Sequence, residues 1–400
     1  MVIAARLLDV LLVLVLLVYL GEGWRNGILR SISAILGIAA GGVAAFFAVP
    51  LLAAAIPAPG WRLALSIALS VLLLIGGHLL GVTIGAALRG RHPENPRRER
   101  DLTTLERLLG GVANLLAAAL VVTLVAGSVA QLGVPVLSQA IHRSVVIGTI
   151  DRLTPAPVED GIARVRATIL EYELPTIDED LGGVDEAQQP PQVDTATDPL
   201  ADAARSVARI SGTAYACGQN QSGSGFVVAP ERIVTNAHVV AGVESPVVEL
   251  PDGETLDARV VWFDPDADVA VLAVPGMTAA PLPLADARIG QEGVVDGYPH
   301  GGPFSSAPAE VLAISDEFVP DIYGENASAR EVATIAADVQ PGNSGGPLVT
   351  LDGQVAGLVF ARNSEHANLG YATTIAQLEP LLAEAPDLTT PVRPGHCIAG

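Results

Sequence analysis

Pro341-Gly-Asn-Ser-Gly-Gly-Pro-Leu348 is the stretch that decides how the chain is read. A serine set between glycines on a tight turn presents its hydroxyl outward and its own N–H toward the same point. Acyl transfer needs that convergence of a nucleophile and preorganised donors on one carbonyl. Gly342 has no Cβ, so its peptide is free to aim an N–H into such a site. Gly345 and Gly346 leave the far side bare for an approaching backbone. The competing reading is an ordinary Gly/Pro/Asn turn between two strands. A base and an orienting carboxylate upstream would decide between them.

Both are present. His238 lies in Thr235-Asn-Ala-His-Val-Val240, after a strand-like run and before a small apolar turn, with Gly223-Ser-Gly-Phe226 just upstream. His300 sits in a Gly/Pro-rich loop, and His366 and His396 fall in polar or terminal stretches. The carboxylate partner of an imidazole base must be buried against the ring to hold its tautomer. In Asp264-Pro-Asp-Ala-Asp-Val-Ala-Val-Leu272 only Asp268 abuts the apolar run that carries it inside, whereas Asp264 and Asp266 flank a turn. Around these residues, short β-type runs separated by turns are expected at 206–210, 225–228, 232–235, 247–250, 258–262, 269–274, 293–297, 331–335, 354–360 and 370–373. Their number and spacing predict an all-β domain over residues 205–400, sized for two six-stranded barrels.

The rest of the chain is of a different kind. Residues 1–150 hold 11 Arg and 6 acidic residues, a net of +5, while residues 151–400 hold 11 Arg and 37 acidic residues, a net of −26. There is no lysine. So acidic a C-terminal part has nothing to neutralise phosphates with, which excludes nucleic acid as a partner. Four long apolar runs, at 2–20, 32–56, 63–88 and 109–132, each reach about the 20 residues a helix needs to cross a bilayer. They predict a membrane domain of four transmembrane helices over residues 1–132. Arg25 and Arg30 in the first loop, and Arg89, Arg91, Arg97, Arg98, Arg100 and Arg107 in the third, mark those loops as cytoplasmic. The second loop is nearly free of charge, so the N-terminus and everything after about residue 133 belong outside. Gly37 with Gly41, and Gly77 with Gly81 and Gly85, repeat the spacing that lets helix backbones approach within one chain. Arg6, Asp9 and His78 are ionisable residues at membrane positions, for which pairing near a helix end competes with function.

Residues 133–204 read as a juxtamembrane helix near 158–174 followed by an acidic, Pro-rich linker over 175–200 with too little apolar surface to order itself. Such a segment tethers the next domain rather than docking on it, and beside a protease it is a site for self-cleavage. Cys217 and Cys397 bracket the acidic domain, and an oxidising compartment predicts a disulfide between them.

The order His238, Asp268, Ser344 is that of the chymotrypsin-like fold, and residues 205–400 resemble trypsin-like serine proteases of the bacterial HtrA/DegP type. The four-span region with its glycine-rich second and third helices resembles the colicin V production (CvpA) family. Together they resemble the MarP-like membrane-anchored periplasmic serine proteases of mycobacteria and their relatives. That resemblance implies Ser344 as nucleophile, His238 as general base and then acid, and Asp268 as the orienting carboxylate. It further implies an oxyanion hole along Gly342, Asn343 and Ser344, and a role under acid or oxidative stress. Asp338, six residues before Ser344, stands where trypsin-type enzymes place the acid that selects Arg or Lys. Gly357, Leu358, Val359 and Phe360 are expected on the edge strand that pairs with substrate backbone, Phe360 walling the pocket. With 56 residues after Ser344, the second barrel is completed without a PDZ domain. No His-Glu-x-x-His or clustered His/Cys spacing calls for a metal, and no cofactor is expected. The reading is a membrane-anchored extracytoplasmic serine endopeptidase acting on cell-envelope proteins. The alternative is a protease-shaped stress sensor or scaffold whose triad is inactive at rest.

Overall fold

The computed structural model describes residues 2–55, 59–89, 91–92, 95–99, 102–130, 140–141, 144–155, 158, 175–177, 183, 188–214 and 219–398. Two compact units emerge, Arg6–Thr123 and Leu124–Gly400 with Met1–Ala5. The expected helix at 158–174 lies, after Val158, outside the described residues.

The first unit is built on helices α1 (Val2–Ala55), α2 (Pro59–Arg89) and α3 (Thr104–Ala130), with a short hairpin of β1 (Arg91–His92) and β2 (Asn95–Glu99) before α3. A reciprocal cap starts α3: the Glu106 N–H donates to Thr103 Oγ1 (3.2 Å) and the Thr103 N–H donates to Glu106 Oε2 (2.8 Å). The first two apolar runs are one helical stretch interrupted at Gly27, whose φ of 72° and ψ of 170° are closed to most residues. The glycine spacing is a packing seam inside the chain. A Cβ on Gly37 would lie 2.2 Å from the Gly77 carbonyl oxygen, and one on Gly77 would lie 2.2 Å from that of Gly37. Gly81 faces Ser33 and Gly85 faces Arg30 in the same way. The helices expose Leu14, Leu17, Leu72, Leu79, Leu116 and Val121, an apolar surface suited to hydrocarbon rather than water. Among the described residues, Ala5–Ala45 and Thr104–Thr123 are long and apolar enough to cross a bilayer, and Leu72–Leu88 is a shorter apolar helix. Arg6 and His78 are exposed and Asp9 is half-buried.

The second unit holds two β-barrels. The first comprises β4 (Val207–Ala214), β5 (Gln219–Ala229), β6 (Arg232–Thr235), β7 (Val247–Glu249), β8 (Thr255–Asp257), β9 (Arg259–Asp264) and β10 (Val269–Ala273). They form one antiparallel sheet in the order β8-β7-β4-β5-β6-β10-β9, seven strands where six were expected. Alternate apolar residues, among them Ile210, Val227, Ile233, Val248 and Leu272, fill it. The second comprises β11 (Glu292–Gly297), β12 (Ser305–Pro320), β13 (Ala327–Ala337), β14 (Pro347–Thr350), β15 (Val355–Asn363) and β16 (Leu369–Thr374). Because β14 pairs with both β11 and β15, its six strands close into a ring around Val295, Val311, Ile335, Leu348 and Val359. Phe226, Val234, Val294, Tyr298 and Leu358 join the barrels, sealed by Leu378 and Leu382 of the helix Ile375–Glu384.

All ten expected strands are present; of the barrel strands, β8, β12 and β14 were not expected. The 16-residue β12 carries little apolar alternation of its own and is ordered by its ladder with β13, from Ala309↔Ala337 to Pro320↔Ala327. The undocked tether expected over 175–200 gives way at both ends. Leu200 and Ala203 of the helix Asp198–Ala204 are buried in the cluster between the barrels, and Val193 packs on it. At the other end, β3 (Thr176–Ile177) joins β15 in parallel.

Candidate active site

His238, Asp268 and Ser344 are carried on three turns at the junction of the barrels, and all three are buried. His238 follows β6 in the short helical turn Ala237–Val240, whose flanking Thr235 and Asn236 are also buried. Its Nδ1 lies 2.8 Å from Asp268 Oδ2 and 3.1 Å from Oδ1, and its backbone N–H donates to Oδ1 (3.0 Å). The carboxylate thus fixes ring and backbone together, with the proton on Nδ1 and Nε2 left as an acceptor. Asp268 is one of three described non-glycine residues at positive φ, 51°. The Asn236 side-chain amide donates to its carbonyl (2.8 Å).

Ser344 sits on a turn that glycine makes possible. Gly342 has φ 98° and Gly345 φ 81°. A Cβ on Gly345 would lie 2.1 Å from the Ser224 carbonyl oxygen and 2.3 Å from Thr235 Oγ1. The serine turn is therefore pressed against the strand ends that carry His238. Ser224 staples it there: its N–H donates to Ser344 O (2.7 Å), its hydroxyl donates to Gly342 O (2.7 Å), and it accepts the Tyr298 N–H (3.0 Å). From the second barrel, Gly345 N–H donates to Val359 O (2.8 Å) and Val359 N–H to Gly346 O (2.9 Å).

Several polar atoms of these turns lack a partner among the described residues: the Asn236 and Asn343 side-chain oxygens, which can only accept, and four groups able to take part in acyl transfer. His238 Nε2 and Ser344 Oγ are buried and hydrogen-bond to nothing among the described residues. The N–H groups of Gly342 and Ser344 donate to no group among the described residues. Asn343 differs, because its N–H is committed to Gln340 O at 3.0 Å; of the three residues expected to line an oxyanion hole, it is not an available donor. Buried polar groups are otherwise nearly always paired, so unpaired atoms gathered on facing turns mark a place built for something else to bind.

Other expectations need correction. Asp338 is exposed at the end of β13 and its carboxylate accepts from the Gln340 side chain, so it does not floor a closed pocket. Gly357 and Leu358 are not on an edge: β15 pairs there with β14 and with β16. Leu358, Val359 and Phe360 are buried in separate apolar clusters, so their side chains do not line an open groove. Cys217 lies outside the described residues. Cys397 Sγ lies against Gly242, where a Cβ would come within 2.9 Å of it.

Some site features carried no sequence signal. Asp296 on β11 is fully buried, and no hydrogen bond of ordinary geometry reaches either oxygen. Burial pushes its carboxyl up to about 7, partly offset by the nearby Ser306 hydroxyl. Its carbonyl oxygen packs on Gly346 of the serine turn, where a Cβ would be 2.3 Å away. Arg209 ties the first barrel to the loop at 299–302, pairing with Glu249 and donating to Gly301 O (2.9 Å). A cleft of about 700 Å³ is lined by Asp198, Asp202, Leu282 and Asp352 among others and contains none of the three residues.

Comparison with known proteins agrees with both halves. Residues 223–358 match the trypsin-like peptidase domain, and residues 8–155 match the colicin V production protein family. Serine protease Rv3671c of Mycobacterium tuberculosis is 33% identical over 404 residues, covering 98% of each chain. The crystal structure of the Rv3671c protease in its active form superposes with a TM-score of 0.52 at 38% identity, covering 57% of this chain and all of that one. A probable periplasmic serine endoprotease DegP-like of Halomonas elongata is 38% identical over 162 residues, 38% of this chain and 32% of its own. The chain is a serine endopeptidase, and it belongs to the Rv3671c family, in which a colicin-V-production-type domain precedes a trypsin-like protease domain.

Proposed function

We propose that Ser344, His238 and Asp268 are the catalytic triad of an extracytoplasmic endopeptidase. Ser344 Oγ attacks the scissile carbonyl while His238 Nε2 takes its proton, and Asp268 stabilises the imidazolium through Nδ1–H. The Gly342 and Ser344 N–H groups receive the oxyanion. His238 then protonates the leaving amine, and water releases the acyl group by the reverse path. The observation that carries this reading is that His238, held on Asp268 through Nδ1 at 2.8 Å, keeps Nε2 unpaired on a turn facing the one that carries the unpaired Ser344 Oγ and the uncommitted Gly342 and Ser344 N–H groups. Hydrolysis of an unfolded protein substrate by the full-length enzyme tests it. His238→Ala should lower kcat by about 10⁶, and a fall below tenfold would overturn the assignment.

The membrane arrangement we propose is four crossings with the protease outside. The break at Gly27, flanked by Arg25 and Arg30, supports division of α1 into two spans, and the arginines of the β1–β2 hairpin support a cytoplasmic turn before α3. Alkaline phosphatase fused after residue 133 should be active and after residue 95 inactive; the reverse pattern would invert the topology. The substrates are then cell-envelope proteins, with the linker as a self-cleavage site and a role in acid or oxidative stress resistance as the family resemblance implies. Cys397, placed against Gly242 four residues past His238, supports a disulfide with Cys217. Non-reducing peptide mapping that finds a free Cys217 would exclude it.

A further inference from the structure

We propose that Arg330 is a positioning residue for the reaction, acting from the second barrel on Asp268 in the first. This rests on the triad assignment above. The hairpin of β12 and β13 grips the turn before Asp268 by three successive carbonyls. Ile322 N–H donates to Pro265 O (3.2 Å), Ser328 Oγ to Asp266 O (2.9 Å) and Arg330 Nη1 to Ala267 O (3.3 Å). Arg330 Nη2 donates to Pro320 O (2.7 Å), and the guanidinium lies 5.4 Å from the centre of the Phe360 ring. The side chain is 2% exposed. An arginine so buried is normally paired with a carboxylate, yet among the described residues none lies within ion-pair distance of it.

Burial disfavours its charge, and the carboxylates of Asp268, Asp264, Asp266 and Asp321 offset that. Its hydrogen bond to the Ala267 carbonyl fixes the peptide that leads into Asp268, whose φ of 51° is uncommon for a non-glycine residue. Its charge favours the Asp268 carboxylate and opposes a second positive charge on His238. Grip and charge are separable by substitution. Arg330→Lys keeps the charge and loses the two-armed grip, while Arg330→Gln loses both.

The test is the rate of labelling of full-length protein by a fluorophosphonate probe as a function of pH. Arg330→Gln should move the acid limb upward by about 0.5–1 pH unit and lower the plateau roughly tenfold. Arg330→Lys should lower the plateau but leave the limb where it is in the wild type. Ser328→Ala, which loosens the turn without changing charge, should behave like Arg330→Lys. A limb unmoved in Arg330→Gln, or moved equally in all three, overturns the proposal. Labelling of the wild type that is indifferent to Asp268→Asn would instead show that the triad reading itself has failed.

From separate observations we infer that the chain occupies its own substrate edge. β14 pairs with β15 as far as Leu358, and Val359 is bonded to Gly345 and Gly346, so β15 leaves the serine turn with its next residues open on that side. There β3 takes the places a substrate strand needs. Arg362 N–H donates to Pro175 O (3.2 Å) and Ser364 N–H to Ile177 O (3.1 Å), while the Ile177 side chain packs on the cluster of Val319, Val332, Phe360 and Tyr371. A peptide extended along β15 must displace residues 175–177, whereas a small probe at Ser344 need not. Ile177→Asp in the full-length protein should lower KM at least fivefold for a peptide with four residues before the scissile bond and leave fluorophosphonate labelling unchanged. A doubly substituted Thr176→Gly, Ile177→Gly protein should do the same. Unchanged or raised KM in both overturns the inference.

Discussion

Two turns face each other across the junction of the barrels, and they are built in opposite ways. The serine turn at 341–346 reaches positive φ twice, at Gly342 and Gly345, where glycine makes it nearly free of strain. The aspartate turn at 264–268 places a non-glycine residue at φ 51° and holds it with donors from a hairpin more than 50 residues later. In the serine turn the unusual dihedrals fall on glycines. In the aspartate turn the one left-handed residue is not a glycine, and the local turn in which Asp264 Oδ1 accepts from the Asp266 and Ala267 N–H groups (3.0 Å each) is reinforced by donors from the second barrel. The geometry of Asp268 therefore depends in part on how the two barrels dock.

The sharpest break of this comparison is Asp268→Asn. Loss of the carboxylate that sets the His238 tautomer should lower kcat/KM by about 10⁴ with little change in thermal stability. A loss of tenfold or less would mean that the aspartate turn does not serve catalysis.

Next in size is Asp296, buried beneath the serine turn. Its folded-state value of about 7 lies above the ordinary carboxylate value of 3.8, so the folded protein holds the proton more tightly. The stability it allows is full below about pH 4 and falls as pH rises toward 7, a loss on the order of 4 kcal/mol. Denaturant unfolding of the wild type and of Asp296→Asn at pH 4 and pH 8 should show the gap between them shift by that amount in favour of Asn at pH 8. A gap that does not change with pH would place the ionisation elsewhere.

Gly345→Ala should cost about 3 kcal/mol, because its Cβ would meet the Ser224 carbonyl at 2.1 Å and the φ of 81° disfavours it. The smallest effect expected is that of Ser328→Ala, which removes one hydrogen bond from the aspartate turn and about 1 kcal/mol of stability. If the order of these two is reversed, the glycine dihedrals are not what sets the serine turn.

The same contrast explains what was legible in the sequence. The serine turn, the Thr-Asn-Ala-His run and the aspartate beside an apolar strand announce themselves because each has local chemistry: glycine dihedrals, a small-residue turn, a charge at the mouth of a hydrophobic run. The glycine seam of the helical unit was legible for the same reason. Arg330 was not, since nothing near it in the chain says that its partners are Ala267 and Pro320. The strand β12 was missed because pairing, not composition, orders it. β3 was missed because a Pro- and acid-rich segment reads as undocked until Arg362 and Ser364 are seen to need partners. Asn343 and Asp338 were assigned from position alone, and position does not reveal that one N–H is spent on Gln340 or that one carboxylate faces solvent.

The most direct test of the central claim is covalent labelling of the full-length protein with a fluorophosphonate, followed by mass analysis of the modified peptide. The account predicts a single adduct on Ser344, lost in Ser344→Ala and strongly slowed in His238→Ala. A wild-type protein that stays unlabelled from pH 5 to 8, or an adduct that persists in Ser344→Ala, would contradict it.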